Sequence, residues 1–350
     1  MKKILKTISI ALFSGTLIVA SKPSFGGNED RVGQAGGQSL LINPWARSNG
    51  WAGANTANSN GLEAMFLNVA GTSSTKKTEI LFSHNSYLLG SGVNVNAFGL
   101  TQRVGETGVL GLCFSSMDFG NLMITSIALP EGGLGTFKPS YINIGMSYAK
   151  EFSNSIYGGL ALKIISESTS DIGAQGVAID AGVKYVTGDK DKIKFGIALK
   201  NVGPRMTYKG DGLSFRGVVP STGTNLTIEH RSASFDLPSL LNIGASYDFL
   251  LNDKDKITLA GNFTSNSFTK DQYSLGLEYS FRTNFMVRCG YLHEKGYTST
   301  ARTSAYTGPA GGFTFEIPLN ANGSTFSLDY GYRMSNPFSG SHVIGARINL

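Results

Sequence analysis

The sequence predicts an all-β protein: a transmembrane antiparallel β-barrel of about 14 strands with an N-terminal segment plugging its lumen. Three observations predict it. Apolar residues recur at every second position from about residue 78 to the C-terminus. No later stretch holds the roughly eighteen consecutive apolar residues that a helical span needs. Short turns and longer loops alternate along the chain, as expected of a barrel with one trim rim and one elaborate rim.

The chain opens on a leader. Lys2, Lys3 and Lys6 precede an apolar stretch from Ile8 to Ala20, and small residues follow, with candidate cleavage points after Ala20 and Gly26. This is the layout of a secretory signal peptide, and the apolar run is too short to cross roughly 30 Å of hydrocarbon as a helix. Residues 1–26 are therefore expected to be removed on export to the outer membrane of a Gram-negative bacterium. The formal charge is +6. Four of the lysines lie in the leader (Lys2, Lys3, Lys6 and Lys22), so the mature chain carries about +2 and the basic balance gives no argument for a nucleic-acid partner.

Residues 27–77 do not alternate. They are rich in Gly, Ala, Asn and Ser, hold Trp45 and Trp51, and suggest a short helix around Gly61–Leu67. So long a segment without strands is expected to fold into the barrel. Residues 78–350 form the barrel. Val177, Ile179, Ala181, Val183 and Tyr185 alternate with Ala178, Asp180, Gly182 and Lys184. The same alternation runs through 193–200, 241–249, 273–282 and 325–333, and the chain ends on Ile344, Ala346, Ile348 and Leu350 at one parity. A soluble sandwich would place Lys and Glu on its polar face. Gly and Ser opposite an aromatic face suit lipid outside and a crowded polar lumen inside.

Short turns are expected near 105–107, 151–154, 188–191, 252–255, 282–284 and 320–322. Longer loops are expected near 126–136, 203–235, 294–307 and, more modestly, 264–270. Tyr148, Tyr185, Phe195, Tyr247, Phe249, Phe281 and Phe285 cluster by the short turns at apolar parity and read as an interfacial aromatic girdle. The two cysteines fall on opposite parities, Cys113 inward and Cys289 outward, which argues for two buried, unpaired thiols.

The polar face carries Asp180, Lys184, Lys194, Lys200, Glu278, Arg282, Arg288, Glu316, Asp329 and Arg333. Both signs are present in near balance, so the expectation is an ion-pair network joining strands and plug rather than a charge-selective ring. Phe66 and Asn68 are the plug residues expected to anchor in the lumen. Catalytic chemistry is not expected. His84, His230, His293 and His342 lack metal-ligand spacing, no nucleophile elbow is present, and 132–138 does not have phosphate-loop spacing. No cofactor is expected either. The longest loop places Leu213, Phe215, Val218 and Val219 among polar residues. They either cover the barrel mouth or form a partner surface, with Phe215, Val218 and Val219 as the partner-binding candidates.

The run from Ala46 to Ala54 (Ala-Arg-Ser-Asn-Gly-Trp-Ala-Gly-Ala), followed by Met65-Phe66-Leu67-Asn68-Val69-Ala70-Gly71, resembles the N-terminal signature of the PorV/PorQ family. Gly159 to Lys163, the strand from Gln175 to Tyr185 with Asp180, and Phe235-Asp236-Leu237-Pro238 also resemble its pattern. The resemblance implies a non-enzymatic outer-membrane barrel of the type IX secretion system, in contact with lipid and lipopolysaccharide. Its partners would be a translocon subunit and the C-terminal signal domains of secreted cargo. The related FadL-type channels share the plug and the 14-strand barrel, which gives an alternative: a transporter of hydrophobic small molecules.

Overall fold

The computed structural model describes residues 29–218, 221, 223–252, 254–282, 284–296, 303–320 and 323–350. The expected leader, residues 1–26, lies outside them, as does Val219. Fourteen strands form the barrel: β1 (Thr78–Tyr87), β2 (Val93–Val104), β3 (Gly108–Asp118), β4 (Ser140–Ser153), β5 (Ile156–Thr169), β6 (Ile172–Thr187) and β7 (Ile193–Val202) in its first half. The second half holds β8 (Leu240–Leu250), β9 (Lys256–Asn266), β10 (Gln272–Phe281), β11 (Phe285–Glu294), β12 (Tyr306–Pro318), β13 (Thr325–Ser335) and β14 (Ser341–Asn349). Each strand pairs antiparallel with the next. β14 returns to β1 in the register Glu79↔Asn349 through Ser86↔His342, closing the barrel. Closure leaves no free edge strand, so backbone groups find partners around the wall where water is absent, apart from one break described below.

The alternation in sequence becomes an inside and an outside. On β10, Ser274, Gly276, Glu278 and Ser280 are buried while Tyr273, Leu275, Leu277 and Tyr279 are exposed. Large apolar side chains stand outward around the whole wall, including Phe82, Leu112, Leu160, Ile197, Ile243, Leu275, Phe315 and Ile344. A soluble protein would not leave such a belt uncovered, whereas hydrocarbon covers it. Among the described residues no helix is long and apolar enough to cross a membrane.

All six short turns join strands at the rim where β1 begins and β14 ends. In one of them the Asp255 carboxylate accepts from the Asn252 side chain at 2.7 Å and from the Arg282 backbone N–H at 2.9 Å; these two bonds lower its pKa. The aromatic residues near these turns face outward and pack in pairs, Tyr247–Phe249 at 4.5 Å and Phe285–Phe315 at 4.6 Å between ring centroids. The opposite, outer rim carries the long connections 119–139, 203–239 and 295–305. It also carries shorter connections at 88–92, 170–171 and 336–340 that the turn signals did not separate from their strands. Residues 132–138 belong to the first long loop and end in a small hairpin, Leu122–Met123 against Thr136–Phe137.

Two expectations need correction. Arg282 is exposed in a turn with its guanidinium over the Phe281 ring, because the strand ends one residue earlier than the alternation suggested. Cys289 is an exposed thiol on the outer face rather than a buried one, while Cys113 is half-buried on the inner face; both are free. Of the two placements open for Phe215 and Val218, the structure has them 47% and 60% exposed on a hairpin of its own (Ser214–Val218 with Asn225–Glu229).

Candidate functional site: the barrel interior

Residues 38–75 run through the lumen as short helical pieces, including α1 (Ala46–Gly50) and α2 (Ala64–Leu67). They are short because Gly, Asn and Ser recur too often for a long helix to persist. Local side chains stabilise them instead. Asn43 Oδ1 accepts from Trp45 N–H at 3.0 Å, Asn49 Nδ2 donates to Trp45 O at 2.8 Å, and Asn68 Oδ1 accepts from Ala70 N–H at 3.2 Å.

Glycines on the inner parity let this segment touch the wall. A Cβ on Gly331 would lie 2.2 Å from Ala46 O, one on Gly182 2.1 Å from Asn68 Oδ1, and one on Gly290 2.5 Å from Trp51 O. Small residues opposite the aromatic face are thus contact sites for the N-terminal segment. Trp45, Trp51 and Leu62 are fully buried there, and the apolar core of the protein lies inside the barrel rather than between layers.

Polar contacts continue around the wall. Arg47 reaches Glu278 at 3.4 Å and Glu63 at 3.8 Å. Glu278 is gripped from the other side by Arg288 at 2.8 Å, and Arg288 donates on to Thr314 at 2.6 Å. Thr314 donates to Asp329, which also holds Arg347 at 3.4 Å. Lys184 donates to Ser59 O at 3.2 Å and to Asn60 at 2.7 Å. Asn68 Nδ2 donates to Val183 O at 3.0 Å, and Asp180 pairs with Lys163 at 2.5 Å. Lys194 bridges Asn58 and Asp248, and Glu316 accepts from Ser327. Arg47, Glu63, Lys163 and Arg347 are members that the strand pattern alone did not single out, while Asp248 falls on the polar parity of β8. Lys163 and Arg347 stand between apolar neighbours on the inner parity, which was the available signal.

Cavities remain beside the segment, and two of them adjoin each other. The first, about 50 Å³, lies between it and β3–β5 and is mostly apolar, with Leu40, Ile42, Trp45, Met65, Phe66 and Cys113 on its walls. The second, about 280 Å³, is a cup below the outer rim and mixes amide, hydroxyl and aromatic groups. Ile42 and Phe66 line both. Phe66, with Lys200 Nζ 3.9 Å from its ring centroid, is the partition. Phe66→Ala is expected to join the cavities and to cost about 3 kcal/mol in denaturant unfolding. Faster entry of an apolar dye into protein reconstituted in vesicles, against the parent, checks it; an unchanged rate would mean that the partition lies elsewhere.

The wall itself is irregular at one place. On β7, Asn201 takes a left-handed conformation (φ 58°) and bulges, so that Ile179 pairs with Val202 and Ala181 with Leu199. Its backbone N–H donates to Asp180 and its amide to Pro238 O. Above the bulge β6 loses β7 as a partner, and loop 203–239 takes its place through a Gly173↔Lys209 bridge and Met206 packed on Gly176. Met206, Leu237 and Leu40 form a core with Ile165, Ala174 and Ala178. Tyr208 donates to Glu167 at 2.8 Å; burial and that carboxylate raise the pKa of its phenol. Asp236 ties the loop to the start of the chain through Arg31 at 3.0 Å.

No family model and no curated protein matches the sequence. Solved structures do resemble it. The CymD monoaromatic hydrocarbon channel superposes with a TM-score of 0.51 at 14% identity, over 92% of this chain and 97% of its own. The toluene transporter TodX of Pseudomonas putida superposes with a TM-score of 0.52 at 11% identity, over 88% and 97%. The fold is FadL-like. At such identities the likeness carries architecture and no residue roles, and the PorV/PorQ resemblance gains no support beyond the barrel.

Proposed function

We propose that this protein conducts hydrophobic small molecules across the outer membrane, without catalysis. The observation that carries the reading is the apolar pocket between the luminal segment and β3–β5, set in a barrel whose wall pairing fails beside Asn201. A packed lumen with charges of both signs does not suit a wide ion pore. It suits a solute that leaves water in a small apolar site and moves by local rearrangement of Phe66, Met206 and Leu237. Similar barrels are described as a monoaromatic hydrocarbon channel and a toluene transporter, which supports the same solute class. The luminal segment acts in this reading as a plug that denies free passage to water and ions.

Uptake tests it. Cells that lack the protein should accumulate radiolabelled toluene several-fold more slowly than complemented cells. Equal rates would defeat the reading.

A second reading, a secretion-system barrel that binds a translocon subunit or cargo signal domains, draws on the exposed hairpin that carries Phe215 and Val218. Binding energy at such surfaces concentrates in a few apolar anchors. Replacing Phe215, Val218 and Val219 together by serine would then leave cargo unsecreted while the barrel still assembles. Normal secretion by that variant would remove the hairpin from consideration.

A further inference from the structure

The cup below the outer rim holds two cationic side chains that, among the described residues, have no carboxylate at ion-pair distance. Lys200 projects from β7 and is 3% exposed; Arg333 projects from β13 on the opposite wall. Their contacts are aromatic: Lys200 over Phe66, and Arg333 with its guanidinium 3.8 Å from the Tyr306 ring centroid. Among the described residues neither forms an ion pair or a side-chain hydrogen bond, whereas Lys163, Lys194, Arg288 and Arg347 each have a carboxylate. No Asp or Glu lines the cup. Glu294 stands behind its wall and is already occupied, accepting from Gln272 and from Thr303. Around the cations the cup presents apolar side chains, among them Leu41, Leu67, Leu240 and Leu292, and neutral hydrogen-bonding groups, among them Asn242, Asn266, Gln272, Thr264 and Ser274.

A buried cation without a partner is costly, and a cation–π contact offsets only about 0.5–2 kcal/mol of that cost. An anion entering the cup relieves it. The remaining lining selects what the anion is attached to. Asn242, Thr264, Asn266 and Gln272 each keep a bond inside the protein, but among the described residues Asn242 Nδ2, Asn266 Oδ1 and Gln272 Oε1 have none; an alkyl chain would leave those atoms unpartnered, while a hydroxylated body would satisfy them. The volume, about 280 Å³, sits near the low end for ligand pockets, roughly 300 Å³.

We propose that the outer cup is a binding site for a small hydroxylated organic acid of monosaccharide size. Its carboxylate meets Lys200 beside Phe66, Arg333 adds attraction from the facing wall, and its hydroxyls bond the amide and hydroxyl lining. The site is separate from the apolar pocket across Phe66, so it stands or falls independently of hydrophobic transport.

Isothermal titration calorimetry on the full chain in detergent tests it, with galacturonate and gluconate as probes and with galactose and octanoate as neutral and alkyl controls. At least one hydroxylated acid should bind saturably, at least tenfold more tightly than galactose or octanoate. Lys200→Met and, separately, Arg333→Gln should each weaken that binding about tenfold or more, in protein that still migrates as a folded barrel on unboiled gels. Should either variant fail to fold, loss of binding on raising salt from 20 mM to 500 mM in the parent replaces it as the test of charge. Absence of saturable binding by both acids, binding indifferent to both substitutions and to salt, or tighter binding of octanoate would each overturn the proposal.

Discussion

Glu278→Leu is expected to destabilise the folded barrel by about 3–5 kcal/mol, measured by urea unfolding in vesicles. Glu278 is buried on β10 between two guanidinium groups, Arg47 of the luminal segment and Arg288 of β11. Removing its carboxylate leaves Arg288 fully buried and Arg47 mostly buried, and neither has another carboxylate as near. The loss should be unequal in space. Arg288 keeps Thr314, while Arg47 keeps only the longer contact to Glu63, so the luminal segment should loosen before the wall. Protease cleavage within residues 38–75 of the variant, ahead of any loss of folded migration, would report that order. Adding Arg47→Met to Glu278→Leu removes one stranded charge and should recover part of the loss, a coupling of about 0.5–3 kcal/mol. Strictly additive effects would mean that the pair does not hold the segment.

Gly331→Leu is expected to expel α1 from the lumen without opening the wall. Even a Cβ at this position would stand 2.2 Å from Ala46 O, so a leucine side chain cannot coexist with α1 as docked. The displaced atoms are backbone on a short helix that Asn43 and Asn49 fix in place, so small adjustments cannot relieve the clash. The barrel ladder at Gly331, paired with Gly312 and Val343, needs no glycine of its own. Planar-bilayer recordings should therefore show a large rise in conductance with folded migration intact. Gly331→Ser should give an intermediate effect. A leucine variant with unchanged conductance would mean that α1 does not occlude the lumen.

The barrel was legible because one physical constraint, lipid outside and a packed polar interior, repeats on every strand. Residues 272–281 alone show it: Tyr273, Leu275, Leu277 and Tyr279 against Ser274, Gly276, Glu278 and Ser280. The β1 start, the strand number and the six short turns followed from that pattern and from Gly, Asn and Asp at the turns. The interior was less legible. Asp180, Lys184, Glu278, Arg288 and Asp329 could be placed inward by parity, but their partners lie on strands or helical pieces far away in sequence. Arg47 and Glu63 in particular sit in a segment with no period to assign a face. Nor did the pattern explain why glycine is so frequent: Gly182, Gly290 and Gly331 are required by contacts with residues more than a hundred positions away. The bulge at Asn201 was invisible because the alternation of β7 reads as regular through Leu199 and ends where the bulge begins.

The account depends most on the claim that the N-terminal segment occupies and closes the lumen of a complete barrel. Deleting residues 27–77, so that residues 1–26 are followed directly by β1, tests this without a substitution inside the wall. Single-channel recording of the parent should show little current. The deleted form should insert as a folded, heat-modifiable barrel and conduct in large steps, since only water would then fill the space now held by Trp45, Trp51 and Leu62. A deleted form that folds yet conducts no more than the parent would contradict the account.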